Sequence, residues 1–147
     1  MDNIEIREMT DVDFNKISPV LQIDFDEFWT PEILQGELNN TNSKYYVLIY
    51  NQEIAGFGGL WFSVDDVHLT NIVIKKTYRN KGFGNALLQK LILNAKNSKK
   101  KSLTLEVNEN NTNAKKLYLK NGFKILGIRK KYYNNNDNAL IMTLYFN

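Results

Sequence analysis

His68-Leu69-Thr70-Asn71-Ile72-Val73-Ile74, then Arg79-Asn80-Lys81-Gly82-Phe83-Gly84-Asn85, then Ala86-Leu87-Leu88-Gln89-Lys90-Leu91-Ile92 is the stretch that decides the fold. The first part reads as a strand, and the last as a helix whose apolar residues continue to Ala95. Two glycines at a strand-to-helix turn let the backbone approach a ligand closely. The first amides of the helix have no partner within it and carry the positive end of its dipole. The turn is therefore expected to seat a pyrophosphate, with Arg79, Lys81 and Asn85 adding charge and donors. Other phosphate-binding turns do not fit. A P-loop has four residues between its glycines and a following Lys-Ser or Lys-Thr. A Rossmann turn places a third glycine where this chain has Leu87.

Working outward, Ile4–Met9 alternates as a strand, and Thr10-Asp11-Val12-Asp13 reads as a capped helix start running to about Asp24. Thr30-Pro31-Glu32 is a second start, with proline at the first helical position. Tyr45–Tyr50 and Glu53–Phe62 form a hairpin about Asn51-Gln52, and Asp65–Lys75 is the next strand. Beyond the long helix come a strand at Ser102–Val107, a helix at Asn113–Lys120 stopped by Asn121-Gly122, and two strands at Phe123–Lys131 and Ala139–Phe146. The expected architecture is α/β (α+β): one mixed sheet of about seven strands, four helices, and a central βαβ crossover that places a ligand at the strands' carboxyl ends. Gly56, Gly58 and Gly59 within a strand indicate a bulge or crowded backbone, or room for a substrate.

Composition limits the function. The 147 residues fit a single domain spanning 1–147, and no apolar run reaches the length of a membrane span. The acidic start Met1-Asp2-Asn3-Ile4-Glu5 is unlike a secretory signal, so a cytoplasmic protein is expected. Absence of cysteine excludes disulfides, thiolate metal sites and an acyl-cysteine relay, and no metal is expected. A net charge of +3 suits an anionic cosubstrate. The lysines from Lys96 to Lys101 lack interleaved aromatics and read as a solvated helix end, so no nucleic-acid binding is expected.

The residues of Asn71–Ile74, Tyr78–Gly84, Leu105-Glu106-Val107 with Asn111, Leu117-Tyr118 with Asn121-Gly122-Phe123, and Arg129–Tyr133 together resemble the GNAT superfamily of N-acetyltransferases. Within it the chain is similar to the bacterial RimI-type ribosomal-protein-alanine N-acetyltransferases. The resemblance covers nearly the whole chain. It implies acetyl-CoA as cosubstrate, its pantetheine arm paired with the backbone of Ile72, Val73 and Ile74. It implies a pyrophosphate held by the amides of Asn80, Lys81, Gly82, Phe83, Gly84 and Asn85, with Arg79 beside them and Asn111 near the thioester end. Glu106 is implied as general base, Tyr118 as general acid, and Trp29, Tyr132 and Tyr133 as acceptor contacts. The implied acceptor is the N-terminus, alanine in the group, of a small-subunit ribosomal protein, acetylated directly in a ternary complex by a monomer or weak dimer. The chain departs from the group's pattern in Lys75-Lys76 and in the asparagine-rich loop after Tyr133.

The residues themselves suit this chemistry. An α-amine with a pKa of ~8 loses its proton near neutral pH far more easily than a lysine at ~10.4. A carboxylate acting directly or through one water can take that proton. Alternation places Thr104 and Glu106 on one face of their strand and Leu103, Leu105 and Val107 on the other. A serine–histidine–aspartate arrangement has no support, because His68 is the single histidine and reads as a surface strand residue. Phe25, Phe28, Trp29 and Trp61 read as core, with packing against an acceptor peptide as the alternative for Trp29. Alternative readings are a lysine side chain, polyamine or aminoglycoside as acceptor, with Asp24, Asp26, Glu27, Asp65 and Asp66 as an acidic pocket, and a non-catalytic CoA-binding domain, for which Glu106 and Tyr118 would be superfluous.

Overall fold

A computed structural model describes residues 3–27, 29–132 and 136–147; Phe28 and Tyr133 lie outside the described residues. The strands are β1 (Ile4–Glu8), β2 (Ser43–Tyr50), β3 (Glu53–Phe62), β4 (Asp66–Ile74), β5 (Ser102–Asn108), β6 (Lys124–Arg129) and β7 (Ala139–Tyr145). The helices are α1 (Asp11–Ile17), α2 (Pro31–Asn39), α3 (Phe83–Asn97) and α4 (Thr112–Lys120). The strands form one mixed sheet in the order β1-β2-β3-β4-β5-β7-β6, so the expected α/β architecture is the observed one. Strands β4 and β5, joined through α3, run parallel and pair over Asp66–His68 and Ser102–Thr104. No helix among the described residues is long and apolar enough to cross a membrane.

Backbone contacts divide the chain into two compact units. The first holds the residues up to Trp61 together with Thr70–Leu91, and the second holds Phe62–Leu69 and Ile92–Asn147. In the first unit, Ile17, Leu21, Phe25, Leu34, Val47 and Phe57 form a buried cluster. In the second, Leu103, Phe123, Ala139 and Met142 are buried.

The first helix differs from its sequence reading. It is regular only to Ile17 and continues as a 3-10 turn over Ser18–Val20 and a π-helical turn over Leu21–Phe25. Pro19 explains the break, since it has no amide to donate and its ring crowds the preceding turn. The irregular turns still bury Leu21 and Phe25, so core packing is kept while regular helix is lost. The start of α1 is as expected. Thr10 caps it through its hydroxyl, and the Asp13 carboxylate accepts from the Thr10 amide at 2.8 Å, which completes a capping box.

The strand glycines mark crowding. A Cβ on Gly59 would lie 2.4 Å from Tyr45 Cζ and 2.6 Å from Thr70 Oγ1. Those two side chains are themselves hydrogen-bonded at 2.8 Å, and burial pushes the Tyr45 phenol's pKa up, keeping it neutral. Gly59→Ala is expected to destabilise the protein by about 1–3 kcal/mol, as overpacking does. Urea denaturation measures this, and an unchanged midpoint would rule the crowding out.

Candidate active site

In the first unit, Ile74 ends β4 and a short 3-10 turn over Lys76–Tyr78 leads to the glycine turn. Asn80 and Gly82 both have left-handed backbone, with φ of 65° and 82°. These two reversals about Lys81 start α3 at Phe83, three residues earlier than the sequence suggested, so Gly84 and Asn85 lie within its first turn. The Ala86 amide bonds back to the Gly82 carbonyl at 3.1 Å, and the amides before it have no such carbonyl inside the helix. Two side chains fix the turn from within. Phe83, 3% exposed, packs its ring 4.9 Å from that of Tyr50. Arg79 donates to the Phe25 carbonyl at 2.7 Å and the Ile74 carbonyl at 3.0 Å. Asn80, Lys81 and Gly82 remain exposed. A fixed turn that presents backbone donors and a lysine to solvent fits a pyrophosphate.

The β4 edge carries a second feature. The Lys75 amide bonds to Ala55 on β3, so by alternation the Ile72 amide points to the opposite edge. There it donates to its neighbour's side chain, Asn71 Oδ1, at 2.8 Å. Any acceptor that uses this amide must displace Asn71. Val73 faces the core at 3% exposure, while Ile72 and Ile74 are half-buried. A cleft of about 300 Å³ in the same unit is lined by Arg7, Asp13, Glu53 and Lys75. Arg7 pairs with Asp13 at 2.6 Å and Lys75 with Glu53 at 4.0 Å along it.

In the second unit, β5 buries Leu103, Leu105 and Val107 and turns Glu106 to its open face. The Glu106 side chain is 32% exposed, and its Oε1 lies 3.2 Å from Arg129 Nη2. The Arg129 guanidinium also lies 4.8 Å from the Tyr132 ring centre. Tyr118 rides on α4, 8% exposed, with its ring 5.6 Å from that of Phe123. Asn111 caps α4, its Oδ1 accepting from the Ala114 amide at 3.2 Å. The helix stops at Asn121-Gly122 as read from sequence, with Gly122 at φ 94°. Asn111 thus fixes the start of the helix that carries Tyr118. Among the described residues no cluster of histidine, aspartate or glutamate is arranged to hold a metal.

Three sequence readings change in detail. Trp29, expected to line an acceptor groove, is 8% exposed and packs edge-on against Phe57 and Tyr45 at 5.5 and 6.1 Å, so its ring serves the core. Arg79, expected to add charge at the phosphate, is held by two backbone carbonyls and supports the turn instead. Asn111, expected near the thioester, spends its side-chain oxygen on the helix cap. Tyr133, the second expected aromatic contact, lies outside the described residues, whereas Tyr132 is half exposed. Arg129, part of the Arg129–Tyr133 segment that carries the resemblance, had no role assigned from sequence, and its one signal is its place directly before Lys130-Lys131-Tyr132.

The strand order, with a βαβ crossover entered through a glycine turn, is that of an acyltransferase fold. The chain belongs to the acetyltransferase (GNAT) family, whose model matches residues 5–123, and it is an N-acetyltransferase that uses acetyl-CoA. It is 40% identical over 117 residues to the [ribosomal protein bS18]-alanine N-acetyltransferase of Haemophilus influenzae, covering 75% of this chain and 80% of that protein. The crystal structure of the ribosomal-protein-S18-alanine N-acetyltransferase from Escherichia coli superposes with a TM-score of 0.87 at 26% identity, covering 97% of this chain and 94% of that one. A GNAT acetyltransferase from Elizabethkingia anophelis, solved with acetyl-CoA bound, gives a TM-score of 0.79 at 26% identity over 99% and 100% of the two chains.

Proposed function

We propose that this protein acetylates the α-amine of an N-terminal alanine on a small-subunit ribosomal protein, bS18 or its equivalent, by direct transfer from acetyl-CoA in a ternary complex. The observation that carries this reading is the 40% identity to a relative with that named activity. The presence of a carboxylate on the open face of β5 and a tyrosine on α4 supports it. Glu106 takes a proton from the α-ammonium, directly or through one water. The neutral amine attacks the thioester carbonyl, the carbon–sulfur bond breaks as the Tyr118 hydroxyl supplies the proton to the departing thiolate, and the second proton shed by the new amide nitrogen passes through water to restore the Tyr118 hydroxyl. An amine of pKa ~8 needs only a weak base, which an ordinary carboxylate is. The backbone of Ile72–Ile74 pairs with the pantetheine arm, displacing Asn71 from the Ile72 amide, and the amides of Asn80–Asn85 with Lys81 hold the pyrophosphate. Tyr132 and Tyr133 contact the acceptor. The protein works as a single domain in the cytoplasm, as a monomer or weak dimer, without membrane or nucleic acid as partners.

Release of free CoA against two peptides tests the acceptor. One begins with alanine and has blocked lysines; the other has a blocked N-terminus and one free lysine. Turnover on the first alone is expected, and turnover on the second alone would overturn the acceptor assignment. Replacing Gly82 and Gly84 together by alanine tests the phosphate seat. A methyl is strained at φ 82° and blocks close approach, so the Kd for acetyl-CoA should rise about tenfold or more. Calorimetric titration that finds wild-type affinity would contradict the seat.

A further inference from the structure

Arg129 reaches across one strand to form its ion pair with Glu106. Strand β7 lies between β5 and β6. Glu106 sits opposite Ile141, and Ile141 sits opposite Gly127; in the next row Asn108 faces Ala139 and Ala139 faces Arg129. Residues directly opposite share a face, so Glu106 and Arg129 project to the same side with one strand between them. Two strand spacings amount to roughly 10 Å, and the two side chains together bridge that distance. In the row of Arg129 the β7 residue is the small, buried Ala139, while in the row of Glu106 the Ile141 side chain lies over Gly127. The guanidinium ends with Nη2 3.2 Å from Glu106 Oε1 and its centre 4.8 Å from the Tyr132 ring. An ion pair with partners 51% and 32% exposed adds little stability, so folding alone does not account for this arrangement.

We propose that Arg129 is a positioning residue. It fixes the orientation of the Glu106 carboxylate and ties that orientation to Tyr132, so that seating of the acceptor against Tyr132 sets the base in place. The contact engages Oε1, and Oε2 is the oxygen on which the proton from the amine or its bridging water is received. This rests on the reading of Glu106 as base.

A double-mutant cycle on the alanine-starting peptide tests it. Arg129→Met should lower kcat about tenfold or more, as misplacement of a catalytic group does, with acetyl-CoA affinity within about twofold of wild type. Arg129→Lys, which restores a cation, should recover part of the loss. In a Glu106→Gln background, Arg129→Met should cause no further fall. A wild-type kcat for Arg129→Met, or a full additional loss in the Glu106→Gln background, overturns the coupling while leaving the base assignment standing. A full rate for Glu106→Gln alone overturns the base assignment and the coupling with it.

Discussion

Glu106→Gln is expected to lower kcat by about 10²- to 10⁴-fold, the range a positioned general base contributes, while the Kd for acetyl-CoA stays near wild type. The separation of effects follows from the roles proposed above. Glu106 stands on the open face of β5, paired with Arg129, and supplies no part of the Asn80–Ala86 turn proposed to hold the pyrophosphate. The amide is close in size to the carboxylate and leaves Leu105 and Val107 undisturbed in the core, so the variant should fold. Steady-state kinetics with the alanine-starting peptide, together with acetyl-CoA titration, decides the matter. A kcat within a factor of two of wild type would remove Glu106 from the chemistry. A parallel loss of acetyl-CoA binding would instead assign it to the cosubstrate.

Asp13→Ala should be the most destabilising of the simple substitutions, by about 2–4 kcal/mol. Asp13 is 2% exposed. Its carboxylate accepts from Arg7 through both oxygens, at 2.6 and 3.0 Å, and from the Thr10 amide and hydroxyl at 2.8 and 3.0 Å. The substitution removes the carboxylate half of the capping box, keeping only the Thr10 hydroxyl on the residue 13 amide, and leaves Arg7 without its counter-ion. Arg7 is 40% exposed and can turn to water, which keeps the loss below that of a fully buried pair. For a chain of this length the melting temperature should fall by roughly 5–15 °C, and an unchanged one would refute the assignment. Acid should act on the same group. Burial alone would raise the Asp13 pKa, but the hydrogen bonds from Arg7 and Thr10 outweigh it and hold it below the usual carboxylate value. The unfolded chain therefore binds the proton first as pH falls. The stability from Asp13 is complete above about pH 4, and it is lost as pH drops through the lower folded value. The wild type should lose stability more steeply than Asp13→Ala in that acid range.

Much of the architecture was local in origin and therefore legible in the sequence. Alternation gave the strands, Thr10 and Thr30 marked helix starts, and Asn121-Gly122 marked a stop, because each signal acts within a few residues. The basic, glycine-containing turn after β4 was legible for the same reason, since left-handed backbone at Gly82 is a property of the residue placed there. Alternation along β5 likewise put Glu106 on the face opposite its apolar neighbours. What required the tertiary structure was the use of side chains that reach across many residues. Arg79 spends its donors on a carbonyl 54 residues away, and Trp29 turns into the core against Phe57. Arg129 crosses β7 to meet Glu106, which depends on strand order. Periodicity and capping are written along the chain, whereas the partner of a long polar side chain is set by which strands become neighbours, and that pairing has no local signal.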